Sequence, residues 1–493
     1  MMKRELADIA LKTAKSLGAT YTDIRICTYR QQSIAARDLI LSSGMIGGFG
    51  QGRNVDSVSS GFGIRVMVNG AWGFASSSHI TPEEIKRAAA LAVEVGKASA
   101  LAREKPVKLV SVPAYQDHWQ TPIQKDPFKI PREKKVELLL EINRRLLKHK
   151  HIVRATSFMS FAHESKYFAS SEGSYIEQDI YRADTDYTVV AFRNGKVKTR
   201  TFSVPPLNMG YEYIEKAPLL ENIDRTAEEA IEHTLASPCP EGRKDLILTP
   251  SHTCLLIHES LAHPTELDRA VGYEANYAGT SFVTTDKLGK LQWGSKLMNV
   301  VADNTNPILR MSSGYDDDGT KKQRYHLIKE GVFVDYQTSR ETAPYIGAKS
   351  SRGCVYASSW ANFPILRNTN VGIEPGPPGD PTPEEIIADT KDGILIDGLG
   401  SFSIDHQRYN LQFGGNAFWE IKNGEKTRML SDVTYQAINT ELWNSLDAVG
   451  CKESWEPQGI PACAKGQPIV NGDQSHPAPW IRFHQIKVGV AKL

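Results

Sequence analysis

The chain has 493 residues, of which 40% are hydrophobic and 23% are charged, and its 58 Lys and Arg residues nearly balance 57 Asp and Glu residues. This composition is typical of a globular protein with two or more domains, and it excludes a disordered chain, a collagen and a small disulfide scaffold. A net charge of +1 gives no basic face for nucleic acid or an anionic membrane, so neither is an expected partner. The first residues are acidic where a signal peptide needs an apolar core, and no apolar run reaches the roughly 18 residues of a spanning helix, so we expect a cytoplasmic protein.

The first 240 residues combine helix and strand patterns. Helices are predicted over residues 4–17, 81–95, 131–148 and 221–235, the second from a threonine N-cap followed by Pro82. Strands are predicted over residues 23–29, 32–37, 63–68 and 71–76. Asn69-Gly70, between the last two strands, favours a type I′ hairpin turn, and Asn194-Gly195 indicates another turn further along.

After a proline-punctuated boundary near residue 240, the chain becomes strand-rich. Turns are predicted at Glu330-Gly331 and Asn423-Gly424, and helices near residues 251–268 and 383–390. The predicted fold class is therefore α+β. A mixed α/β domain over residues 1–240 is followed by a strand-rich, barrel-like domain over residues 241–493, which carries the helix at 251–268.

That helix contains the pattern His258-Glu259-x-x-x-His263, which indicates a metal site. In an ideal α-helix, residues five apart point about 140° from each other, so the two imidazoles would not converge. A π-bulge adds one residue to a turn and restores a common face, so we predict a π-type distortion between His258 and His263. Pro264 supports it, because proline disfavours helical backbone at the preceding residue. The alternative is that these side chains simply decorate a partly exposed helix.

A catalytic zinc needs three protein ligands and an open position, so a third ligand must come from elsewhere. Five residues are candidates: Cys254, Glu266, Asp268, Cys451 and Cys463. Cys254 lies in an apolar run and fits a core position better, whereas Glu266 and Asp268 could instead orient a ligating imidazole. Cys451 has Lys452 beside it, which favours a thiolate, and Cys463 is its rival. The six cysteines are widely scattered, so buried thiols or a metal ligand are expected rather than a disulfide framework.

The chain resembles the TldD branch of the TldD/PmbA (TldD/TldE) family, zinc metallopeptidases once described as modulators of DNA gyrase. The matching segments are the histidine motif with Glu266 and Asp268, the acidic turn at residues 315–319, residues 360–370, 383–387 and 392–394, Gly450-Cys451-Lys452, and Gly466-Gln467-Pro468. The N-terminal helix, hairpin and second helix are also similar to the family's first domain, so the resemblance covers nearly the whole chain.

The resemblance implies that His258, His263 and Cys451 hold Zn²⁺ and that Glu259 is the catalytic base. The run after Lys452 is longer than in the family and contains Cys463. The partner branch, PmbA/TldE, generally lacks the histidine motif, so this chain is expected on the catalytic side. The resemblance also implies leader-peptide processing and degradation of unstructured polypeptides within a dimer, formed with itself or with a PmbA/TldE-like partner.

The predicted function is therefore a zinc-dependent peptidase. Zinc would polarise a peptide carbonyl and lower the pKa of its water, whose proton Glu259 takes and later delivers to the leaving amine. Two imidazoles and a thiolate suit zinc better than magnesium or calcium. A strand edge could bind an extended peptide, so unfolded or flexible peptides are the expected substrates.

A non-catalytic scaffold or partner subunit with a structural zinc site is the main alternative. A magnesium or calcium site at Asp316, Asp317 and Asp318 is another, although three acids before a glycine are more typical of a solvated turn. The glycine cluster at residues 47–52 lacks the dinucleotide-binding spacing and is predicted to be a mobile loop. His163-Glu164 has no second histidine at Phe168, and Asp405-His406 is expected to be a surface pair.

Overall fold

The computed structural model describes residues 2–42 and 54–490. The glycine cluster at residues 47–52 lies outside the described residues. No helix in the described part of the chain combines the length and the apolar character that a membrane crossing requires.

The strands of the first half form one eight-stranded sheet. They are β1 (Tyr21–Arg37), β2 (Ile40–Leu41), β3 (Val55–Val68), β4 (Ala71–Ser77), β5 (Gln116–Gln120), β6 (Ile152–Ser170), β7 (Tyr175–Arg193) and β8 (Lys196–Ser203). Their order is β4-β3-β1-β6-β7-β5, with β2 beside β1 and β8 beside β7. Only β5 and β7 run parallel among these neighbours.

The two strands predicted over residues 23–29 and 32–37 are one continuous strand, β1. Gln31, in the predicted gap, pairs with Ser57 of β3 on one side and Ala162 of β6 on the other. Hydrogen-bond ladders on both sides keep the backbone extended through this stretch. Its polar residues were the only reason to predict two separate strands.

The predicted hairpin at Asn69-Gly70 is confirmed. Val68 pairs with Ala71, and the φ angles of Asn69 and Gly70 are 50° and 73°. A type I′ turn requires positive φ at both central residues, which Asn and Gly adopt readily. Turns with positive φ at both central residues also join strands at Asn194-Gly195, Glu330-Gly331 and Asn423-Gly424, as predicted.

Helices cover one face of the first sheet. They are α1 (Lys3–Ser16), α2 (Pro82–Ala102), α3 (Arg132–Leu146), α4 (Tyr211–Lys216) and α5 (Ile223–His233), which include the four predicted helices. Even-numbered residues of β1 point towards them: Ile24 belongs to the core formed with α1 and α2, and Ile34 to the core formed with α3 and α5. Because side chains alternate along a strand, the odd-numbered residues of β1 face away from the helices.

The second half is built mainly from strands. These are β9 (Ser237–Pro238), β10 (Gly242–Leu248), β11 (Val300–Asp303), β12 (Arg324–Lys329), β13 (Val332–Phe333), β14 (Val355–Tyr356), β15 (Ile365–Leu366), β16 (Val371–Ile373), β17 (Asp392–Asp397), β18 (Phe402–Ile404), β19 (Asn410–Gly414), β20 (Ala417–Lys422), β21 (Glu425–Ser431), β22 (Val433–Ile438), β23 (Leu446–Val449), β24 (Gly459–Lys465), β25 (Val470–Ser475) and β26 (Ile481–Val490). The helices here are α6 (Pro250–Ile257), a π-helix (His258–Ala262), α7 (Leu267–Ala270), α8 (Pro383–Ala388) and α9 (Asn439–Asn444). Short 3₁₀ turns occupy Pro127–Lys129, Thr285–Lys287, Ala343–Ile346 and Lys452–Ser454.

A ten-stranded sheet organises this half, in the order β18-β19-β22-β26-β10-β17-β20-β21-β9 with β23 beside β26. A four-stranded sheet (β13-β12-β11-β16) and the pairs β14–β15 and β24–β25 complete it. The fold is thus α+β with a strand-rich second half, as predicted, and one of its sheets is curled into a half-barrel. Helix α6 lies in the largest apolar core, where Leu255 and Ile257 are fully buried or nearly so.

The face of the first sheet that is turned away from the helices carries buried charges. Lys166 lies 2.7 Å from Asp317, and Arg65 lies 2.6 Å from Asp318. Asp316, Asp317 and Asp318 are 4%, 1% and 4% exposed, so the predicted solvated turn is wrong. The turn instead joins the two halves of the molecule. Its acids are occupied by cations and by backbone N–H groups, three of which donate to Asp316.

The same contact brings a loop of the second half close to β3. A β-carbon at Gly61 would lie 2.3 Å from the Trp360 ring, and one at Gly63 would lie 2.5 Å from the Trp360 carbonyl oxygen. Arg25 donates to the Asn362 carbonyl oxygen at 2.6 Å. Residues 360–370 are one of the segments that carry the family resemblance. The start of this segment therefore packs on the first sheet.

We expect Asp317→Asn to destabilise the protein, because it leaves the buried Arg25 charge without its paired acid and leaves Lys166 with Glu164 alone. Breaking a buried pair from one side costs about 3–5 kcal/mol, which a urea titration would measure as a lower free energy of unfolding. The control is Asp432→Asn, which removes the half-exposed partner of Lys198. Its effect should stay within about 1 kcal/mol. Equal effects of the two changes would contradict a stabilising role for the buried turn.

Candidate metal centre

The histidine motif lies where α6 changes from an α-helix to a π-helix. The N–H of His263 donates to the carbonyl oxygen of His258, five residues earlier, at 3.2 Å. This confirms the predicted distortion. Pro264, which has no N–H, follows at once, and the segment ends in a turn before α7.

Buried side-chain amides complete the hydrogen bonding of this widened turn. Gln337 Nε2 donates to the Ala262 carbonyl oxygen at 2.8 Å, and Asn439 Nδ2 donates to the Ser260 carbonyl oxygen at 2.8 Å. Carbonyl groups near a π-turn lose regular helical partners, and a buried carbonyl without a donor is costly. These two amides therefore stabilise the distortion that the histidines need.

The π-turn brings the two imidazoles together and a cysteine joins them. The ring centroids of His258 and His263 are 4.5 Å apart, and Cys463 Sγ lies 3.5 Å from His263 Nε2. One ligand atom from each of the three residues lies within 4.8 Å of the others. Both histidines are buried and Cys463 is partly buried. Among the described residues, this is the group of three that could hold a metal ion.

A bulge in β24 directs Cys463 towards the histidines. The register with β25 shifts between Ile460 and Cys463, and Ala462 has a φ of 54°. A positive φ is strained for alanine, and the Ala462 N–H donates to Asp473 Oδ1 at 2.9 Å, which helps to hold this conformation. Bulges commonly redirect a side chain next to a functional site.

The surroundings of Cys463 favour its thiolate. Burial raises the pKa of the thiol. The Arg367 guanidinium and then His263 lower this pKa by more than burial raises it, so the net shift is downwards. Arg367 also donates to the backbone carbonyl oxygen of Cys463 at 2.8 Å, which fixes the strand. A thiolate is the form that binds metal.

Hydrogen bonds to the far side of each imidazole determine its tautomer. His476 Nδ1 faces the Val371 carbonyl oxygen at 2.9 Å and must donate to it, which leaves His476 Nε2 as an acceptor. His258 Nδ1, 2.7 Å from that atom, must then carry a proton. His263 Nδ1 likewise donates to Glu266 Oε2 at 2.8 Å. Both histidines therefore present an unprotonated Nε2 to the centre. Burial lowers the pKa of His258 to about 4, which keeps it neutral near pH 7.

Glu266 belongs to a buried charged network behind His263. Its carboxylate accepts from Lys465 Nζ at 3.0 Å and from Arg269 at 3.2 Å. Lys465 also donates to Asp268 at 2.8 Å. Glu266 thus orients an imidazole, as the sequence suggested, whereas Asp268 reaches this network through Lys465. The network is completed by two cations that the sequence did not single out.

Glu259 lies beside His258 and is 7% exposed. Its Oε2 is 3.9 Å from Arg408 Nε, in the turn between β18 and β19. The motif carboxylate thus belongs to the residue that follows the first histidine, and a guanidinium is its nearest cation among the described residues.

Cys451, the ligand implied by the family resemblance, is not brought to the histidines. It lies at the end of β23, where its N–H donates to the Pro381 carbonyl oxygen at 2.9 Å. The bulge in β24 places Cys463 there instead. A sequence signal for Cys463 was its position three residues before Gly466-Gln467-Pro468. Cys254 is 1% exposed in the apolar core, as predicted.

His476, Lys465, Arg367 and Gln337 support the centre but were missed by sequence analysis. Each lies far from the motif in the chain, and none belongs to a recognisable short pattern. Residues 360–370 were noted only as part of the family resemblance. Within them, the Asn368 N–H donates to Glu266 Oε1 at 2.8 Å, so this segment reaches from the first sheet to the centre.

Known protein families match most of this chain. The PmbA/TldA metallopeptidase C-terminal domain matches residues 241–490, the central domain of the same family matches residues 125–237, and its domain 1 matches residues 53–96. The chain therefore belongs to the PmbA/TldD metallopeptidase family, which confirms the family predicted from the sequence.

Individual relatives agree over nearly the full length. A metalloprotease of Methanocaldococcus jannaschii is 29% identical over 462 residues, covering 92% of this chain and 94% of the relative. A zinc metalloprotease TldD homolog of Saccharolobus solfataricus is 24% identical over 489 residues, covering 97% of this chain and 98% of the relative. The structure of TldE from Thermococcus kodakarensis has the same fold, with a TM-score of 0.72 at 18% identity, covering 98% of this chain and 100% of that one.

We expect His476→Leu to weaken metal binding, because it removes the acceptor that holds His258 in its ligating tautomer. Loss of such a supporting partner typically costs 10- to 100-fold in metal affinity, measurable by competition with a chromogenic chelator. His476→Gln, which can still offer an oxygen acceptor, should retain more affinity. The matched control is His233→Leu, the same change at another buried histidine. An unchanged affinity in His476→Leu would contradict the tautomer assignment.

Proposed function

We propose that this protein is a zinc-dependent peptidase in which His258, His263 and Cys463 hold the metal and Glu259 acts as the base. The observation that carries the proposal is the convergence of these three ligand atoms on one face of a π-turn, with Glu259 as the next residue after the first ligand. Three protein ligands leave a fourth position open, as in catalytic zinc sites.

The chemistry of the donors fits zinc. Two neutral imidazole nitrogens and a thiol with a lowered pKa are the soft and intermediate ligands that zinc prefers, whereas magnesium and calcium prefer oxygen ligands. The zinc metalloprotease name of the Saccharolobus relative supports the same metal. Cys463 replaces Cys451 as the proposed third ligand, because Cys463 is the cysteine that lies beside His263.

The chain's own residues then have distinct tasks in peptide hydrolysis. A zinc ion held by His258, His263 and Cys463 would supply Lewis acidity, which would polarise a peptide carbonyl and lower the pKa of the attacking water. Glu259 accepts a proton from that water and delivers it to the nitrogen of the breaking C–N bond. His476 and Glu266 keep the two imidazoles in their ligating tautomers throughout.

Flexible peptides are the proposed substrates. Strand β18 is an edge of the ten-stranded sheet, and Phe402 in it is 45% exposed. An extended peptide can add to such an edge through backbone hydrogen bonds, which a folded protein cannot supply. The turn after β18 leads directly to Arg408, next to Glu259. Leader-peptide processing and degradation of unstructured polypeptides are the corresponding activities.

A dimer, with itself or with a PmbA/TldE-like partner, is the proposed working form, and the fold shared with TldE supports it. We also propose a cytoplasmic location. All six cysteines are free thiols, which persist in a reducing compartment.

Metal analysis of purified protein tests the ligand set. We expect about one zinc per chain in the wild type, most of it lost in Cys463→Ala because only two ligands remain. Cys451→Ala is the matched control and should keep its zinc. Loss of zinc from Cys451→Ala but not from Cys463→Ala would contradict the assignment, as would a wild type that binds no zinc.

Peptide cleavage tests the role of Glu259. Glu259→Gln should keep its zinc but lose about 10²- to 10⁴-fold in the rate of cleavage of unfolded casein or a flexible peptide, since the proton acceptor is gone. A tightly folded protein should resist the wild type. Cleavage by Glu259→Gln at the wild-type rate, or zinc without cleavage in any dimeric form, would favour a scaffold with a structural zinc.

A further inference from the structure

Arg408 is held rigidly at the edge of the metal centre. Its Nη1 donates to the Asp405 carbonyl oxygen at 3.3 Å and its Nη2 to the Ala278 carbonyl oxygen at 3.2 Å. Its own carbonyl oxygen accepts from Asn439 Nδ2 at 2.9 Å. Asn439 also donates to Ser260 in the π-turn, so the same amide fixes Arg408 relative to the residue after Glu259.

The positive charge of Arg408 has no full counter-ion in this arrangement. Both Nη groups face neutral carbonyls, the side chain is 12% exposed, and Nε is buried without a hydrogen-bond partner. Burial, and then the nearby Arg269, lower the pKa of Arg408. Arg269 itself is paired with Glu266, so its charge does have a counter-ion.

Glu259 is the acid that lies nearest to the Arg408 guanidinium. Its Oε2 lies 3.9 Å from the unpartnered Nε, and among the described residues no other cation comes within 4.0 Å of the Glu259 carboxylate. A buried N–H left without an acceptor is rare, and it is explained if the carboxylate turns to accept from it.

We propose that Arg408 is a positioning residue for Glu259, holding the carboxylate at the centre by its charge and donating from Nε to one oxygen while the other oxygen handles the proton. The inference rests on the proposed function and adds a residue to it. Arg408 stays protonated throughout. It moves no proton and contacts neither the metal nor the substrate, and it acts only through Glu259.

Kinetics of Arg408→Gln and Arg408→Lys test this role. Arg408→Gln should lower kcat about 10- to 100-fold with KM and zinc content unchanged, and Arg408→Lys should recover part of the loss because it keeps a charge. The matched control, Arg428→Gln, removes an exposed arginine paired with Glu420 and should behave as the wild type. In a Glu259→Gln background, Arg408→Gln should cost less than about twofold, because the group it serves is already absent.

Two outcomes would overturn the proposal. A raised KM with unchanged kcat would mean that Arg408 binds substrate, and an equal fold-loss in both backgrounds would mean that it acts independently of Glu259. If the wild type cleaves no peptide, the proposed function fails, but the pairing is still tested by urea unfolding. Each single variant should then lower the unfolding midpoint, and the double variant should restore it towards the wild type. Additive losses would refute the pairing.

Discussion

The candidate metal centre depends on one backbone hydrogen bond, from the His263 N–H to the His258 carbonyl oxygen. In a regular α-helix these residues would point about 140° apart, and Glu259 would have no common site with both. The π-turn is not imposed by the helix itself but by its surroundings. Pro264 ends the regular pattern, and amides from two distant segments, Gln337 and Asn439, occupy carbonyls that the turn releases.

The centre is also tied to the interface between the two halves of the molecule. Residues 360–370 run from Trp360, which is pressed against Gly61 and Gly63, to Asn368, whose N–H donates to Glu266. Arg25 of the first sheet holds this segment at Asn362. The orientation of His263 therefore rests on a path of backbone contacts that begins in the first sheet.

Local patterns predicted local structure well. The Asn-Gly turns and the capped helices follow from preferences of a few neighbouring residues, and the structure contains them. The π-distortion was predicted from the spacing of His258 and His263, although distant amides help to stabilise it. The family resemblance predicted His258 and His263 as a pair of metal ligands and Cys451 as the third, whereas the structure brings Cys463 to the two histidines. The choice between two cysteines depends on a bulge at Ala462, and no local preference distinguishes such a strain from an ordinary strand.

Charged contacts between residues far apart in the chain were the other feature that the sequence did not predict. Three consecutive aspartates look solvated when only their neighbours are considered, yet Lys166 and Arg65 from the first sheet bury them. The roles of His476 and Lys465 were not predicted for the same reason, since each depends on a partner far away in the chain. The pattern of β1 and β3 gave no sign of this, because charged residues such as Asp23, Arg25 and Arg65 at alternate positions are typical of a strand face open to water, yet all three are buried.

The two halves meet through buried charges as well as through aromatic contacts such as that of Trp72 with Phe363, and the charges add little to the strength of their docking. Removing water from Arg25, Arg65 and Lys166 cancels much of the attraction to Asp317 and Asp318. The covalent connection between β8 and β9 makes this docking intramolecular and so raises the effective concentration of each half at the other. The continuous chain across residues 204–236 thus helps to keep the candidate metal centre in place. If the chain were cut there, Trp360 would lose its support from the first sheet, and Glu266 would lose its alignment with His263.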